Sequence, residues 1–318
     1  MAENFTLQEV LSDADAYLAA GGVRSAIDIL FEGWDQFGAS AADGAGEAIR
    51  LALTRICHGF WARGEFDSGR EIAAMVVSAA LARAGGAVEP EFVAVYAQAV
   101  AATGTSPFPL RRIFRHRNLI KLFRRVAAEV DGDVAECGCA RGLSFMELCL
   151  SFAEDRPSWA GDGFHVFDSF EGLSAPGEND LAFEASDAGA AQVARNMVSG
   201  NFAAGFDLVR DNIHRYFPRV ELHPGWIPSA FPAVAGRSFR FVHLDVDLYQ
   251  PTRDGLEFFY PRLSGGGAII TDDFNWPGAR KAFEEFSRKH ELRLHTTDTS
   301  QAYILKDLAA SPPRPAPG

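Results

Sequence analysis

Four short apolar runs between residues 133 and 271, DVAEC, FHVFD, FRFVHLD and GAIIT, stop abruptly at a glycine turn or an acid, and stretches of helical period separate them. Runs this short and this apolar read as strands buried on both faces. Repeated strand–helix alternation points to a mostly parallel sheet with helices on both sides. Further strands are expected at 220–223, 291–295 and 301–305, and helices at 143–153, 205–216, 252–262 and 277–289. The predicted fold class is therefore α/β, a doubly wound, Rossmann-like sheet of seven strands. Such sheets bind ligands outside the carboxyl ends of their strands, so the residues that end each run are the candidate site.

The chain before this region reads differently. Up to about residue 104 it is Ala-rich, with apolar residues at i, i+3 and i+4 and no strand-like alternation. AYLAAGGVRSAIDIL and GFWARGEFDSGREIAAMV each place a small-residue turn between helical runs, as in a pair of helical hairpins. Without a shared consensus, two such units indicate a helical accessory or oligomerisation domain rather than a solenoid. ATGTSPFPL marks the boundary, which divides the chain into a helical domain at 1–108 and an α/β domain at 109–308. The Pro-rich segment 309–318 is expected to be disordered.

Charge and cysteine content narrow the function classes. A formal net charge of -12 argues against a general nucleic-acid binder. No basic n-region with an apolar run opens the chain, and no uncharged apolar stretch is long enough to insert in a membrane. Four cysteines are too few and too scattered for a disulfide framework, so a cytoplasmic location with reduced thiols is expected. One segment departs from the acidic background: Arg111, Arg112, Arg115, Arg117, Lys121, Arg124 and Arg125 form an acid-free run on an amphipathic helix. Its basic face is solvated, paired with acids, or in contact with an anionic substrate.

The first strand runs into a turn marked by Gly138 and Gly142 and then a helix with Ser144 in its first turn. Glycine permits close backbone approach, and a helix N-terminus offers free N–H groups. Glu136, at the strand end, disfavours a pyrophosphate and favours a cationic ligand such as S-adenosylmethionine, which carries an ammonium and a sulfonium. The spacing also departs from the dinucleotide G-x-G-x-x-G pattern. The second strand ends in Phe167-Asp168-Ser169-Phe170, where Asp168 either accepts hydrogen bonds from ribose hydroxyls or caps the next turn. Phe170 is positioned to flank an adenine; Trp226 stacks near it, shapes an acceptor pocket, or packs in the core.

Acids gather at the next two strand ends. Asp245 and Asp247 alternate with Val246, which on an extended strand places both on one side, and Asp272 and Asp273 follow at the end of the neighbouring strand. A set of carboxylates with open positions suits magnesium better than a softer metal. The competing reading of Asp272-Asp273 is an N-cap for the helix at 277–289. His243 shares a face with Asp245 and reads as a packed, hydrogen-bonded residue more readily than as a catalytic one. Cys137, Cys139 and Cys149 lack the second ligand pair that a zinc site needs.

GDVAECGCARGLS, VFDSFEGL, ELHPGWIP, HLDVDLYQPTRDGLEFFYPRLSGGGAIITDDF and PGARKAFEEF, taken in order over roughly residues 130–290, resemble the macrocin and mycinamicin type of sugar O-methyltransferases. RRIFRHRNL stands where that family carries a Thr-Met element. The resemblance implies a class I methyltransferase fold, S-adenosylmethionine as methyl donor, magnesium dependence and homo-oligomerisation. It further implies that Glu136 and Asp168 contact the cofactor, that Asp245, Asp272 and Asp273 hold the metal, and that Asp247 is the general base. The expected acceptor is a hydroxyl of a sugar or glycosylated small molecule, with residues 174–204 as a lid over it. Methylation of a catechol-like diol, or a non-catalytic cofactor-binding scaffold carrying a helical interaction domain, are the alternatives.

Overall fold

In the computed structural model, residues 5–37, 45–83, 88–109, 111–181 and 197–308 are described. The predicted tail at 309–318 and the middle of the predicted lid, 182–196, lie outside them. The chain divides into two compact units, residues 1–114 and 115–318.

The first unit is all helical: α1 (Leu7–Ala19), α2 (Val23–Phe37), α3 (Ala45–Ala62), α4 (Phe66–Arg83) and α5 (Pro90–Thr103). Thr6 opens α1 with a reciprocal capping box to Glu9, which satisfies N–H groups that a helix start leaves unpaired. The two expected hairpins are present, with Gly21 and Gly64 in left-handed turns between their helices. Val10, Ile27, Leu30, Ile49, Leu53, Val76, Val77 and Tyr96 form buried apolar positions of this unit.

The second unit is a seven-stranded sheet of β1 (Asp133–Cys137), β2 (Phe164–Asp168), β3 (Glu221–Pro224), β4 (Phe239–Leu244), β5 (Leu263–Thr271), β6 (His295–Thr296) and β7 (Ala302–Leu305). Their order is β3-β2-β1-β4-β5-β7-β6, parallel except where β7 runs antiparallel to β5 and β6. This confirms the predicted fold class, with β6 shorter and later than expected because the charged stretch at 291–294 forms no ladder. The helices are α6 (Arg112–Glu129), α7 (Leu143–Ala153), α8 (Phe206–His214), α9 (Tyr249–Arg262) and α10 (Pro277–Lys289). Val134, Val166, Phe167, Phe241, Val242, Ile269 and Ile270 are fully buried, each contributing about 1.5–3 kcal/mol relative to exposure. The chain leaves β1 toward β2 on one side and returns on the other through β4. That reversal is the switch point at which doubly wound sheets open a crevice. No helix among the described residues is long and apolar enough to cross a membrane.

Candidate active site

The crevice is built by loops that lock to one another. Gly138 follows β1 with φ +79, and a Cβ there would lie 1.9 Å from the carbonyl oxygen of Asp245. The glycine therefore permits the close crossing of two protein loops. Asp245 N–H donates to the Cys137 carbonyl at 2.9 Å, and Gly138 N–H to the Phe167 carbonyl at 2.8 Å. Gly142, at φ +91, meets only ordinary contacts and provides the left-handed start of α7, with Ser144 buried in the first turn.

Asp168 closes the cofactor end. Its carboxylate accepts from Cys139 N–H at 2.7 Å and from Phe170 N–H at 2.6 Å, so the turn-capping role is realised and links the loops after β1 and β2. Ser169 Oγ donates to the Gly172 carbonyl at 3.1 Å and accepts from Glu171 N–H. Phe170, in a left-handed conformation, meets Phe206 edge-on at 5.1 Å. Trp226 is exposed, and the neighbouring Gly225 N–H is tied to the Asp168 carbonyl at 2.9 Å.

Glu136 is not where the cationic-ligand argument placed it. It is fully buried, and its Oε1 lies 2.7 Å from His243 Nδ1. Strand register explains this, because Glu136 on β1 pairs directly with His243 on β4. The other ring nitrogen, Nε2, lies 3.3 Å from Asp272 Oδ1. Burial alone would lower the His243 pKa, but Asp272 and Glu136 outweigh it and hold it well above the usual range. An imidazole facing a carboxylate at each nitrogen is held as the imidazolium, hydrogen-bonded to Glu136 and ion-paired with Asp272.

The acid cluster lies just beyond. Asp272 is buried; Gln301 Nε2 donates to its Oδ1 at 2.7 Å, and Arg115 Nε lies 3.2 Å from its Oδ2. Burial favours its neutral form, yet Arg115 and His243 win and hold the carboxyl far below the usual range. The N-cap reading does not hold, since the N-cap of α10 is Trp276, which makes no side-chain cap hydrogen bond. Asp273 Oδ2 accepts from the Asp247 N–H at 2.9 Å. Its pKa is raised well above normal, by burial first and then by Asp247 and Asp245.

Asp247 does not share a strand face with Asp245. β4 ends at Leu244, and Asp247 adopts φ +60 in the loop beyond, so the alternation argument fails there. Burial and then Asp245 push its carboxyl up to about 7. His243, Asp245 and Asp272 bring ligand atoms within 4.8 Å of one another; Asp273 is not part of that set. The cysteines are free and buried, and no group of metal-ligand type among the described residues includes one.

A cavity of about 180 Å³ opens between residues of Ser174–Asp180 and Leu248–Pro251, the latter being the segment that follows Asp247 in sequence. Asp180 closes its floor, accepting from Tyr249 N–H at 2.7 Å and Gly177 N–H at 2.8 Å. Of the site's supports, sequence reasoning missed Gln301, which carries no local signal. Arg115 belonged to the recognised basic run, but its acid partner lies more than 150 residues away. His243 showed its signal in the i, i+2 spacing to Asp245, though not its bridging role.

Comparison with known proteins agrees with this geometry. The family model for macrocin-O-methyltransferase (TylF) matches residues 110–304. The chain is 32% identical, over 52% of its length and 62% of the relative's, to the 8-demethyl-8-(2,3-dimethoxy-alpha-L-rhamnosyl)-tetracenomycin-C 4'-O-methyltransferase of Streptomyces olivaceus. It is 30% identical, over 51% of its length and 63% of the relative's, to the mycinamicin III 3''-O-methyltransferase of Micromonospora griseorubida. The chain thus spans just under two thirds of each of these relatives. Among solved structures, the O-methyltransferase NovP superposes with a TM-score of 0.50 at 28% identity, over 61% of this chain and 80% of that one.

Proposed function

We propose, from the premise that this chain belongs to the macrocin-O-methyltransferase family, that it transfers a methyl group from S-adenosylmethionine to a hydroxyl of a sugar or glycosylated small molecule. The observation that carries the reading is the gathering of Asp245, Asp247, Asp272 and Asp273 beyond the ends of β4 and β5, with Asp247 a buried carboxyl raised to about 7. A general base is most effective when its pKa lies near the working pH.

S-adenosylmethionine, when bound, supplies an electrophilic methyl on sulfur, and a divalent cation supplies positive charge that favours ionisation of a nearby hydroxyl. The cofactor's place is at the loops after β1 and β2, with Asp168 toward the ribose and Phe170 and Trp226 flanking the adenine. The acid cluster fits a hard cation: burial and mutual repulsion raise both Asp247 and Asp273, so carboxylates outnumber the cations that neutralise them. Asp245, Asp272 and Asp273 are the residues to hold Mg2+.

Asp247 would take the proton from the acceptor hydroxyl, freeing its oxygen to receive the methyl group that S-adenosylmethionine would supply. His243 and Gln301 keep the Asp272 carboxylate oriented, and Glu136 balances the imidazolium charge from inside the sheet. The segment 174–181 walls the acceptor cavity and restricts water, leaving proximity to supply much of the rate. No covalent intermediate with the chain is needed.

The N-terminal helices, residues 1–108, are proposed to mediate homo-oligomerisation; Leu51, exposed on α3, is a candidate contact. The free, buried cysteines fit a reducing, cytoplasmic setting. The test of the activity is transfer of labelled methyl from S-adenosylmethionine to a panel of rhamnosides and other glycosides, with Mg2+ and with chelator. Mg2+-dependent labelling of a glycoside is expected. Labelling of catechols alone, or cofactor binding without transfer to any acceptor, would overturn the reading.

A further inference from the structure

A second cluster of ligand-type side chains lies away from the crevice, on the edge of the sheet. His165 on β2 registers with Glu221 on β3, and Phe167 with His223, so the four share one face of the parallel pair. His165 is fully buried, His223 half-buried and Glu221 exposed. His165 Nδ1 lies 3.2 Å from His223 Nε2 and 3.9 Å from Glu221 Oε1. All three residues offer a ligand atom within 4.8 Å of the others. Three residues of strand separate His165 from Asp168, about 10 Å.

The hydrogen-bond geometry argues for a ligand set rather than a chance contact. His165 Nε2 lies 3.1 Å from Asp133 Oδ2, an acceptor, while its Nδ1 faces His223. A histidine that presents one nitrogen to the cluster and turns the other to a partly buried carboxylate is the arrangement that orients metal-binding imidazoles. His223 stacks on Phe167 at 4.5 Å and 14°, which restricts its ring to the plane that faces His165.

We propose that His165, His223 and Glu221 form a binding site for a borderline divalent transition metal of the Zn2+ class, with water completing the shell. Two imidazoles and a carboxylate select such an ion over Mg2+. Bonds of about 2.0–2.1 Å in a tetrahedral shell put ligand atoms roughly 3.3 Å apart. The histidine pair already matches, and the exposed Glu221 needs only a rotamer adjustment. The ion staples edge strand β3 to β2, and through Gly225 it steadies the Asp168 loop. Arg237 reaches Glu221 Oε1 and Asp133 Oδ2, each at 3.5 Å, and is half exposed. It competes with the metal for both carboxylates.

The test is calorimetric titration of tag-free, chelator-treated full chain with Zn2+, alongside visible absorption with Co2+. Wild type is expected to bind Zn2+ at a site that His223→Gln and Glu221→Gln each abolish and that Asp245→Asn leaves intact. Asp133→Asn weakens it roughly 10–100-fold, Arg237→Ala tightens it, and Zn2+ raises Tm in wild type but not in His223→Gln. Zn2+ binding unchanged in both His223→Gln and Glu221→Gln, or binding that disappears with Asp245→Asn alone, overturns the proposal.

Discussion

Arg115 Nε lies 3.2 Å from Asp272 Oδ2, a cation from the start of α6 set against a buried acid at the end of β5. The guanidinium and the His243 imidazolium together hold Asp272 ionised. Replacing Arg115 with Met leaves Asp272 buried with less compensation, and a loss of about 1–3 kcal/mol in stability is expected. Urea denaturation of the metal-free protein measures it; Arg115→Lys should recover part of the loss, and equal stability of Met and Lys variants would show that the charge is immaterial.

The acid cluster makes stability pH-dependent in a stated direction. Asp247 is about 7 in the folded protein, raised by burial and then by Asp245, against an ordinary 3.8. Between those values the folded state binds more protons than the unfolded state, so stability falls as pH rises through this window and changes little above it. Thermal melts in chelator from pH 5 to 8 should show the decline in wild type and a shallower one in Asp247→Asn. Parallel profiles for the two proteins would contradict the assignment.

Gly138→Ala tests the loop crossing. The added methyl would meet the Asp245 carbonyl oxygen at 1.9 Å, and backbone there has no room to move without shifting the acid cluster. Combined with the cost of φ +79 in a residue with a Cβ, the expected loss is roughly 2–4 kcal/mol together with methyl transfer. Gly142→Ala, strained only in φ, should cost about 1–2 kcal/mol. Similar melting temperatures for the two variants would discount the clash.

Asp168 and Asp247 should separate binding from chemistry. Asp247→Asn is expected to retain S-adenosylmethionine binding by calorimetry while methyl transfer falls about 10²–10⁴-fold. Asp168→Ala frees the N–H groups of Cys139 and Phe170 and should weaken cofactor binding first. Equal cofactor affinity in wild type and Asp168→Ala would move the ribose contact elsewhere.

Most of the architecture was legible before the structure. The apolar runs at 133–137 and 164–168, and the helices at 143–153 and 277–289, agree with the observed bounds because strand and helix periods are local properties. The weak strand at 291–295 was misplaced, since two residues of ladder leave almost no pattern to read. Asp168 as a loop-capping acid was likewise readable from its place after a strand.

What the chain alone determined was which residues end which strands, because apolar periodicity and acid placement are written in neighbouring positions. Only the tertiary structure decided what those residues meet. Glu136 faces His243 because β1 and β4 pair in that register, Asp247 leaves the plane of Asp245 because β4 stops at Leu244, and Asp272 finds Arg115 and Gln301 from distant segments. Burial then turned identical aspartates into opposites: Asp272, beside Arg115 and His243, is held ionised, whereas Asp247, beside other carboxylates, is raised to about 7. A carboxylate's pKa is set by its desolvation and by the charges within a few ångströms, and the sheet's packing fixes both.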